Sequence, residues 1–259
     1  MRTMLYILRT SSMSQVQGLA LGLFLLFSLL MTICIDRAKA GRRVSLRSIP
    51  AFAALRELMD RAIESGRPLH VSLGVKGTGG KDTATTLAGL TMLEHLADRG
   101  ATGDVPPVVT VADPTLLPLA QDVLRHAYTR RGRAKRYDPG RVRLVAPEPI
   151  AYVAGVMDVL EHEDLAGNVM VGAFGEEYLL MGETAARKGL SQIAGAADPQ
   201  TLPFIFTTAD ENLVGEEIYA AGAYLYSLPE HIGSLLAQDW MRVLIALIIL
   251  IGVIIKSLY

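Results

Sequence analysis

Residues 69–83 have the sequence LHVSLGVKGTGGKDT, and this stretch decides the fold class of the 259-residue chain. Its first five residues are mostly apolar and predict a short buried strand. Four glycines follow, and a helical pattern begins at about Asp82. A buried strand, a glycine-rich loop and a helix form the first half of a βαβ unit, so the stretch predicts a parallel sheet covered by helices.

The same alternation continues along the chain after a first helix that begins near Ser48. Five strands are predicted, each followed by a helical pattern, at residues 69–73, 108–111, 142–145, 169–171 and 204–206. Short apolar strands separated by helices are typical of a parallel sheet with both faces covered. We therefore predict an α/β domain with a doubly wound, Rossmann-like, mostly parallel sheet.

Two apolar segments bracket this domain. Residues 18–35 carry no charge, and their length approaches that needed to cross a hydrocarbon core of about 30 Å. Residues 243–255 form a shorter uncharged run. Aromatic and basic residues of the kind found at membrane interfaces flank it, namely Trp240, Arg242, Lys256 and Tyr259. We therefore predict two transmembrane helices, and the lipid bilayer is the first expected partner.

These helices divide the chain into an N-terminal tail (1–17), a membrane helix (18–35), a basic juxtamembrane linker (36–47), a soluble α/β domain (48–239) and a second membrane helix (240–259). The linker holds five basic residues against two in the tail, which favours a cytoplasmic domain. Both termini of this two-pass inner-membrane protein are then extracytoplasmic. The alternative is a secretory signal, because Ala38-Lys39-Ala40 resembles a cleavage site, but the long apolar run argues against it.

Charge is distributed unevenly over the predicted domain. Residues 48–143 hold 14 Lys and Arg against 10 Asp and Glu, whereas residues 144–241 hold 2 against 15. The strongly acidic second half of the domain disfavours nucleic acid as a partner, because the phosphates would be repelled. The basic excess lies in residues 130–143, and three interpretations stay open: a solvated loop, a contact with anionic lipid, or a contact with the acidic half of a neighbouring subunit.

The glycine-rich loop is the sharpest candidate site. Backbone N–H groups at a helix start bind anions, and glycines let a phosphate approach the main chain. The candidate residues are Gly74, Gly77, Thr78, Gly79, Gly80, Lys81 and Thr83. The loop departs from a P-loop because Val75 replaces its first glycine, and Asp82 stands where both the P-loop hydroxyl and the third dinucleotide-fingerprint glycine belong. A phosphate-type ligand, a structural turn with Asp82 as N-cap, and a subunit contact all remain open.

Acidic residues near predicted strand ends form a second candidate set: Asp113, Glu176, Glu177, Asp210 and Glu216. Asp113 and Asp210 are candidate general bases or helix N-caps. A Gly-Glu-Glu pattern occurs at residues 175–177 and again at 215–217. Paired glutamates suit a helix start, whereas an acidic rim that includes Glu211 and Glu217 would instead bind an amine, Mg²⁺ or Ca²⁺. The histidine spacing predicts no metal site.

Several segments of the chain carry a resemblance to a known family. They are residues 69–125, 168–183, 209–210, 215–224 and 238–240. In these segments the chain resembles a family of uncharacterised bacterial membrane-anchored proteins, a domain of unknown function. The resemblance implies the same topology, and it supplies no activity, substrate or catalytic residue. The cofactor stays unknown.

Two functions of different classes remain. The first is a non-enzymatic, membrane-anchored cytosolic module that assembles with itself or a larger membrane complex and binds a small ligand, and the absence of a complete catalytic motif favours it. The second is an enzyme for a phosphorylated or nucleotide-like substrate, with Lys81 as charge clamp and Asp113 or Asp210 as base. A channel is disfavoured because neither apolar segment holds an ionisable residue. Gly18 and Gly22 form a G-x-x-x-G step that predicts a homo-oligomer.

Overall fold

The computed structural model describes residues 2–40 and 46–258, with side chains over residues 17–40 and 46–257. Within the predicted juxtamembrane linker, residues 41–45 lie outside the described part. The chain divides into two compact units. One is Arg47–Tyr226, and the other combines Met1–Leu46 with Ser227–Tyr259.

The unit Arg47–Tyr226 is built on one parallel sheet. Its strands are β1 (Leu69–Gly74), β2 (Val108–Val111), β3 (Val142–Leu144), β4 (Gly167–Ala173), β5 (Gln192–Ala196) and β6 (Glu211–Val214). They lie in the order β3-β2-β1-β4-β5-β6, and every neighbouring pair is parallel. The predicted doubly wound α/β fold is thereby confirmed. The connections reverse direction between β1 and β4, which makes that position the topological switch point of the sheet.

The α-helices of the described residues are α1 (Arg2–Lys39), α2 (Pro50–Ser65), α3 (Thr83–Gly103), α4 (Leu116–Arg130), α5 (Pro149–His162), α6 (Tyr178–Arg187), α7 (Leu202–Thr208), α8 (Ala221–Tyr226) and α9 (Pro229–Leu258). Short 3₁₀ helices occupy Ala134–Arg136, Pro139–Arg141 and Gly215–Ala220. Every residue of β1 and β2 is buried, as expected for strands whose sheet is covered on both faces.

The predicted strand at residues 204–206 is wrong, because these residues lie in α7. Pro203 stands in the first turn of that helix, where its missing N–H costs nothing. Ile205 is buried, whereas Phe206 is exposed. The last two strands are instead β5 and β6, so the chain segment after α7 enters the sheet from its amino edge.

A row of buried polar side chains crosses four strands of the sheet. His70 Nδ1 donates to Asn168 Oδ1 at 2.7 Å, and Asn168 Nδ2 donates to Gln192 Oε1 at 2.6 Å. On the other side of the ring, His70 Nε2 accepts from Thr110 Oγ1 at 2.9 Å. Burial lowers the pKa of His70 to about 4, so the neutral ring fits both bonds. A slip of one residue would leave these groups unpaired, and the row therefore specifies strand register.

The second unit contains α1 and α9. Each has a stretch long and apolar enough to cross a membrane, over Gln17–Lys39 and Pro229–Ser257. Lys39 Nζ lies 3.1 Å from Glu230 Oε1. A Cβ atom on Gly233 would lie 2.6 Å from Cα of Ile35, so the two backbones approach closely there. Because the contact positions run in opposite directions along the two helices, α1 and α9 pair antiparallel.

Candidate functional site

A cleft of about 560 Å³ opens at the carboxyl edge of the sheet. It is lined by Val75, Lys76, Lys81, Asp82, Thr85, Pro149, Ala173, Phe174, Gly175, Glu177, Ala197, Asp198, Pro199 and Tyr219. Most of these residues belong to the segments that follow β1, β4 and β5. The cleft therefore lies at the topological switch point, where open α/β sheets bind their ligands.

The loop after β1 starts at Gly74, the first of the predicted site residues. Gly74 has a φ of +91°, and a Cβ atom there would lie 2.5 Å from the carbonyl oxygen of Ala173. The next residue, Val75, donates its N–H to that same oxygen at 2.9 Å. Only glycine fits this position, because the chain must turn while it stays against the end of β4.

Two threonines of α3 hold the rest of the loop. The Thr83 hydroxyl accepts from Gly80 N at 3.2 Å and lies within 2.9 Å of the carbonyl oxygens of Thr78 and Gly80. The Thr86 hydroxyl lies 3.3 Å from the carbonyl oxygen of Gly77. These bonds turn the loop carbonyls towards α3.

Three backbone N–H groups of the same loop, by contrast, form no hydrogen bond with the described residues of the protein. Within the described part of the chain, the N–H groups of Gly77, Gly79 and Lys81 have no protein acceptor. A ligand or water must satisfy them. Of these three residues, Lys81 lines the cleft, whereas Gly77 and Gly79 do not.

Asp82 stands at the N-cap position of α3, but its side chain makes no capping hydrogen bond. Thr83 closes the turn instead. Asp82 lines the cleft and also a second, smaller cavity of about 220 Å³, which Asp113 lines as well. A carboxylate therefore stands beside the helix start, where an anion would otherwise bind most readily.

Asp113 follows β2 and lies against the loop. Its Oδ1 accepts from Thr115 N at 2.8 Å and from Thr115 Oγ1 at 2.5 Å. A Cβ atom on Gly77 would lie 2.5 Å from the same oxygen. Asp113 lines the smaller cavity and is absent from the lining of the larger cleft. Its geometry is that of an anchor for the loop.

Two glutamates after β4 and β6 make the same kind of bond. Glu177 Oε1 accepts from Gly175 N at 2.6 Å, and Glu217 Oε2 accepts from Val214 N at 3.0 Å. Each side chain folds back to satisfy a donor at the start of its helix, which explains the repeated Gly-Glu-Glu pattern. Glu176 and Glu216 precede them, and of these four only Glu177 lines the cleft.

The predicted place of Asp210 is wrong. Asp210 precedes β6 and therefore lies at the amino edge of the sheet, opposite the cleft. Its Oδ2 accepts from Gln192 N at 2.8 Å and so caps the start of β5. Because Glu211 opens β6, the proposed acidic rim is split between two edges. Among the described residues, no group of three or more His, Cys, Asp or Glu could hold a metal ion.

The basic stretch at residues 130–143 lies between α4 and β3, at the amino edge. Most of its arginines form ion pairs within the unit: Arg130 with Glu94 and Asp98, Arg131 with Asp98, Arg136 with Asp104, and Arg143 with Glu163. The positive charge is therefore largely used to hold this loop against α3 and α5.

Sequence reasoning missed Phe174, Asp198 and Tyr219, which line the cleft. Asp198 follows β5, a strand that the sequence pattern did not reveal. Tyr219 donates to or accepts from the Thr85 hydroxyl at 3.0 Å, which joins the segment after β6 to the first turn of α3. A correct assignment of β5 would have placed Asp198 at the carboxyl edge.

Comparisons with known proteins identify a family. Searches of curated proteins and of solved structures find no match to the chain. The model of a family described as "Domain of unknown function (DUF6754)" matches residues 9–259. This match confirms the predicted resemblance to a domain of unknown function, although it carries no statement about a bacterial source or a membrane anchor. Because the match covers both long helices and the α/β unit between them, the chain belongs to the DUF6754 family.

Proposed function

We propose that this chain is a membrane-anchored α/β module that binds a small ligand in the cleft at the switch point and acts as a ligand-binding or assembly subunit. The observation that carries the proposal is the cleft itself. It combines charged side chains and the free backbone N–H of Lys81 with an apolar wall that includes Val75 and Phe174. Concave sites with a few placed polar groups on a mostly apolar lining are typical of small-molecule sites.

The positions of the two candidate bases favour binding over catalysis. Asp113 is held by Thr115 and lies against Gly77, outside the larger cleft. Asp210 lies at the opposite edge of the sheet. The enzymatic alternative for a phosphorylated or nucleotide-like substrate would therefore need another base. Turnover of such a substrate that is lost in Lys81→Ala would favour that alternative.

Filling the cleft tests the binding function. Ala197 lines the cleft and is half-buried, so Ala197→Phe should occupy ligand space. Ala134 is exposed at the amino edge, and Ala134→Phe is the matched control. Native mass spectrometry of the full chain should find a co-purified small molecule on the parent and on the control but not on Ala197→Phe. Equal occupancy of all three proteins would count against the cleft.

We propose further that α1 and α9 cross the inner membrane, with the α/β unit in the cytoplasm and both termini outside. Arg37 and Lys39 in the last turn of α1 support this orientation, because basic residues flank cytoplasmic ends. A Cys34→Ser chain with Lys135→Cys should react with an impermeant maleimide only after the cells are opened. A Cys34→Ser chain that carries Ser257→Cys in place of Lys135→Cys should react in intact cells. The reverse pattern would overturn the orientation.

The proposed assembly is a homo-oligomer formed through α1, or a place in a larger membrane complex. Gly18 and Gly22 are exposed, and a Cβ atom on either would meet no atom within 4 Å. At about 100° per residue, they lie on the face of α1 opposite Cys34, which is buried in this unit. That face is therefore open to a second copy.

A further inference from the structure

Five charged side chains line the cleft and carry both signs. Lys76 and Lys81 are positive, and Asp82, Glu177 and Asp198 are negative. None of the five forms an ion pair with another described residue. These charges are therefore available to a ligand.

Separated charges of both signs restrict the ligand. A bare polyanion would meet three carboxylates, and a simple cation would meet two ammonium groups. A molecule with one group of each sign can face both sets at once. Charge complementarity therefore favours a ligand that is itself zwitterionic.

We propose that the ligand of the cleft is a small zwitterion with one phosphate or carboxylate group and one protonated amine, an inference that rests on the proposed binding function. The Lys81 ammonium and the free backbone N–H of Lys81 receive the anionic group. Glu177 and Asp198 receive the amine. Glu177 accepts a hydrogen bond from Gly175 N, and Asp198 accepts one from Gln200 N. Each carboxylate uses one oxygen for this bond, and its other oxygen is available to the ligand.

The cleft also has room for an organic group besides the two charged ones. Its volume of about 560 Å³ exceeds that of an amino acid or a phosphoamine head. Phe174, Pro149 and Pro199 provide an apolar wall beside the charges. An apolar or aromatic substituent on the zwitterion would pack there and add affinity.

The test is thermal unfolding of the full chain in a non-ionic maltoside detergent. The zwitterionic probes are phosphoethanolamine and the standard amino acids, and the comparison probes are inorganic phosphate, ethanolamine, ATP and NAD. At least one zwitterion should raise the melting temperature at a concentration where the comparison probes do not. Lys81→Met and Glu177→Gln should each weaken that response at least tenfold. Lys135→Met and Glu161→Gln, both exposed at the amino edge, should leave it unchanged.

Phosphoethanolamine has two sources, a free metabolite or a lipid headgroup. Phosphatidylglycerol nanodiscs with and without phosphatidylethanolamine distinguish them. A shift with the soluble probe assigns a free ligand. A shift only with the lipid, lost in Lys81→Met, assigns the headgroup.

Other outcomes separate this inference from the binding function. If ATP, NAD or phosphate stabilises the chain and the zwitterions do not, the proposal of a zwitterionic ligand is overturned. If that stabilisation is lost in Ala197→Phe, the cleft is still the binding site. A co-purified molecule whose formula lacks an amine overturns it as well. If no probe acts and the parent carries no more ligand than Ala197→Phe, both proposals fail.

Discussion

A Cβ atom on Gly77 would lie 2.5 Å from Oδ1 of Asp113, so the loop after β1 and the turn after β2 fit together only with glycine at residue 77. The two residues follow neighbouring parallel strands, and their contact fixes the loop next to the smaller cavity. The carboxylate that touches Gly77 is in turn held by Thr115.

Gly77→Ala should therefore destabilise the protein by about 1–2 kcal/mol, because the methyl group displaces Asp113 from its bonds to Thr115. Gly79→Ala is the matched control, since a Cβ atom there meets nothing within 4 Å. Thermal or urea unfolding measures both. In an Asp113→Ala background, the cost of Gly77→Ala should nearly vanish, and an undiminished cost would mean that Asp113 is not the obstacle.

Stability should fall as pH falls from about 6.5 to about 4, because of His70. The pKa of His70 is lowered from 6.5 to about 4, chiefly by burial, so in this range the unfolded chain binds a proton that the folded chain does not. Stability therefore rises with pH, and the full effect is about 3 kcal/mol. Melting temperatures measured between pH 7 and pH 4 check it.

The matched variants are His70→Gln and His126→Gln. His70→Gln should be less stable at pH 7 and should show a flatter pH dependence. His126 is exposed on α4, so His126→Gln should keep the slope of the parent. A parent slope that survives His70→Gln would assign the pH dependence to other groups.

Lys188 should contribute to stability although it is exposed. Its Nζ donates to the carbonyl oxygens of Leu160, Glu161 and Glu163 at 2.6–2.8 Å, and so it caps the carboxyl end of α5 with a positive charge. Lys188→Met should cost about 1–2 kcal/mol of unfolding free energy. Lys135→Met removes an exposed lysine at the same edge and should cost almost nothing. Equal effects of the two changes would rule out the cap.

The Gly18→Ile/Gly22→Ile chain should lose self-association, since large side chains would keep two α1 backbones apart. Mass photometry or cross-linking in mild detergent measures the oligomeric state. Gly252→Ile is the control, because Gly252 also has open space around its Cβ position but lies on α9. A parent that is monomeric in every detergent would contradict the homo-oligomer. An oligomer that survives the double change would place the contact elsewhere.

The strands that the sequence reveals are those with buried apolar side chains. Leu69, Val71 and Leu73 of β1 are all buried, as are Val169 and Val171 of β4, and both strands were predicted. Because these apolar residues recur at every second position, they leave a local signal that needs no knowledge of distant residues.

The strand β5 has the sequence QIAGA and gives no such signal. Its Gln192 is buried because Asn168, 24 residues earlier, donates to it. At Gly195 a Cβ atom would lie 2.8 Å from Cβ of Leu213, so the neighbouring strand fills the space. Both facts depend on pairing between distant segments, which a local pattern cannot contain.

The candidate site divides in the same way. Local chemistry placed the loop residues Gly74 to Thr83 together beside a helix start. Because the fifth strand was predicted at residues 204–206, Asp210 was expected after a strand, at the carboxyl edge, whereas it precedes β6 at the amino edge. The same error left Asp198, which follows β5, unrecognised. Side chains that reach the cleft from later segments, such as Tyr219, depend on the full strand order and were not predictable.

The two ends of the α/β unit meet, since the Tyr224 hydroxyl donates to the carbonyl oxygen of Arg47 at 2.5 Å and the Tyr224 ring stacks on Phe52. The unit is thus a cassette inserted into a helical hairpin, and its adjacent ends tether α1 and α9 at high effective concentration. Closing the hairpin across this cassette costs little more entropy than closing it across a short loop. A foreign domain with equally close ends should therefore be able to replace the cassette in the chain.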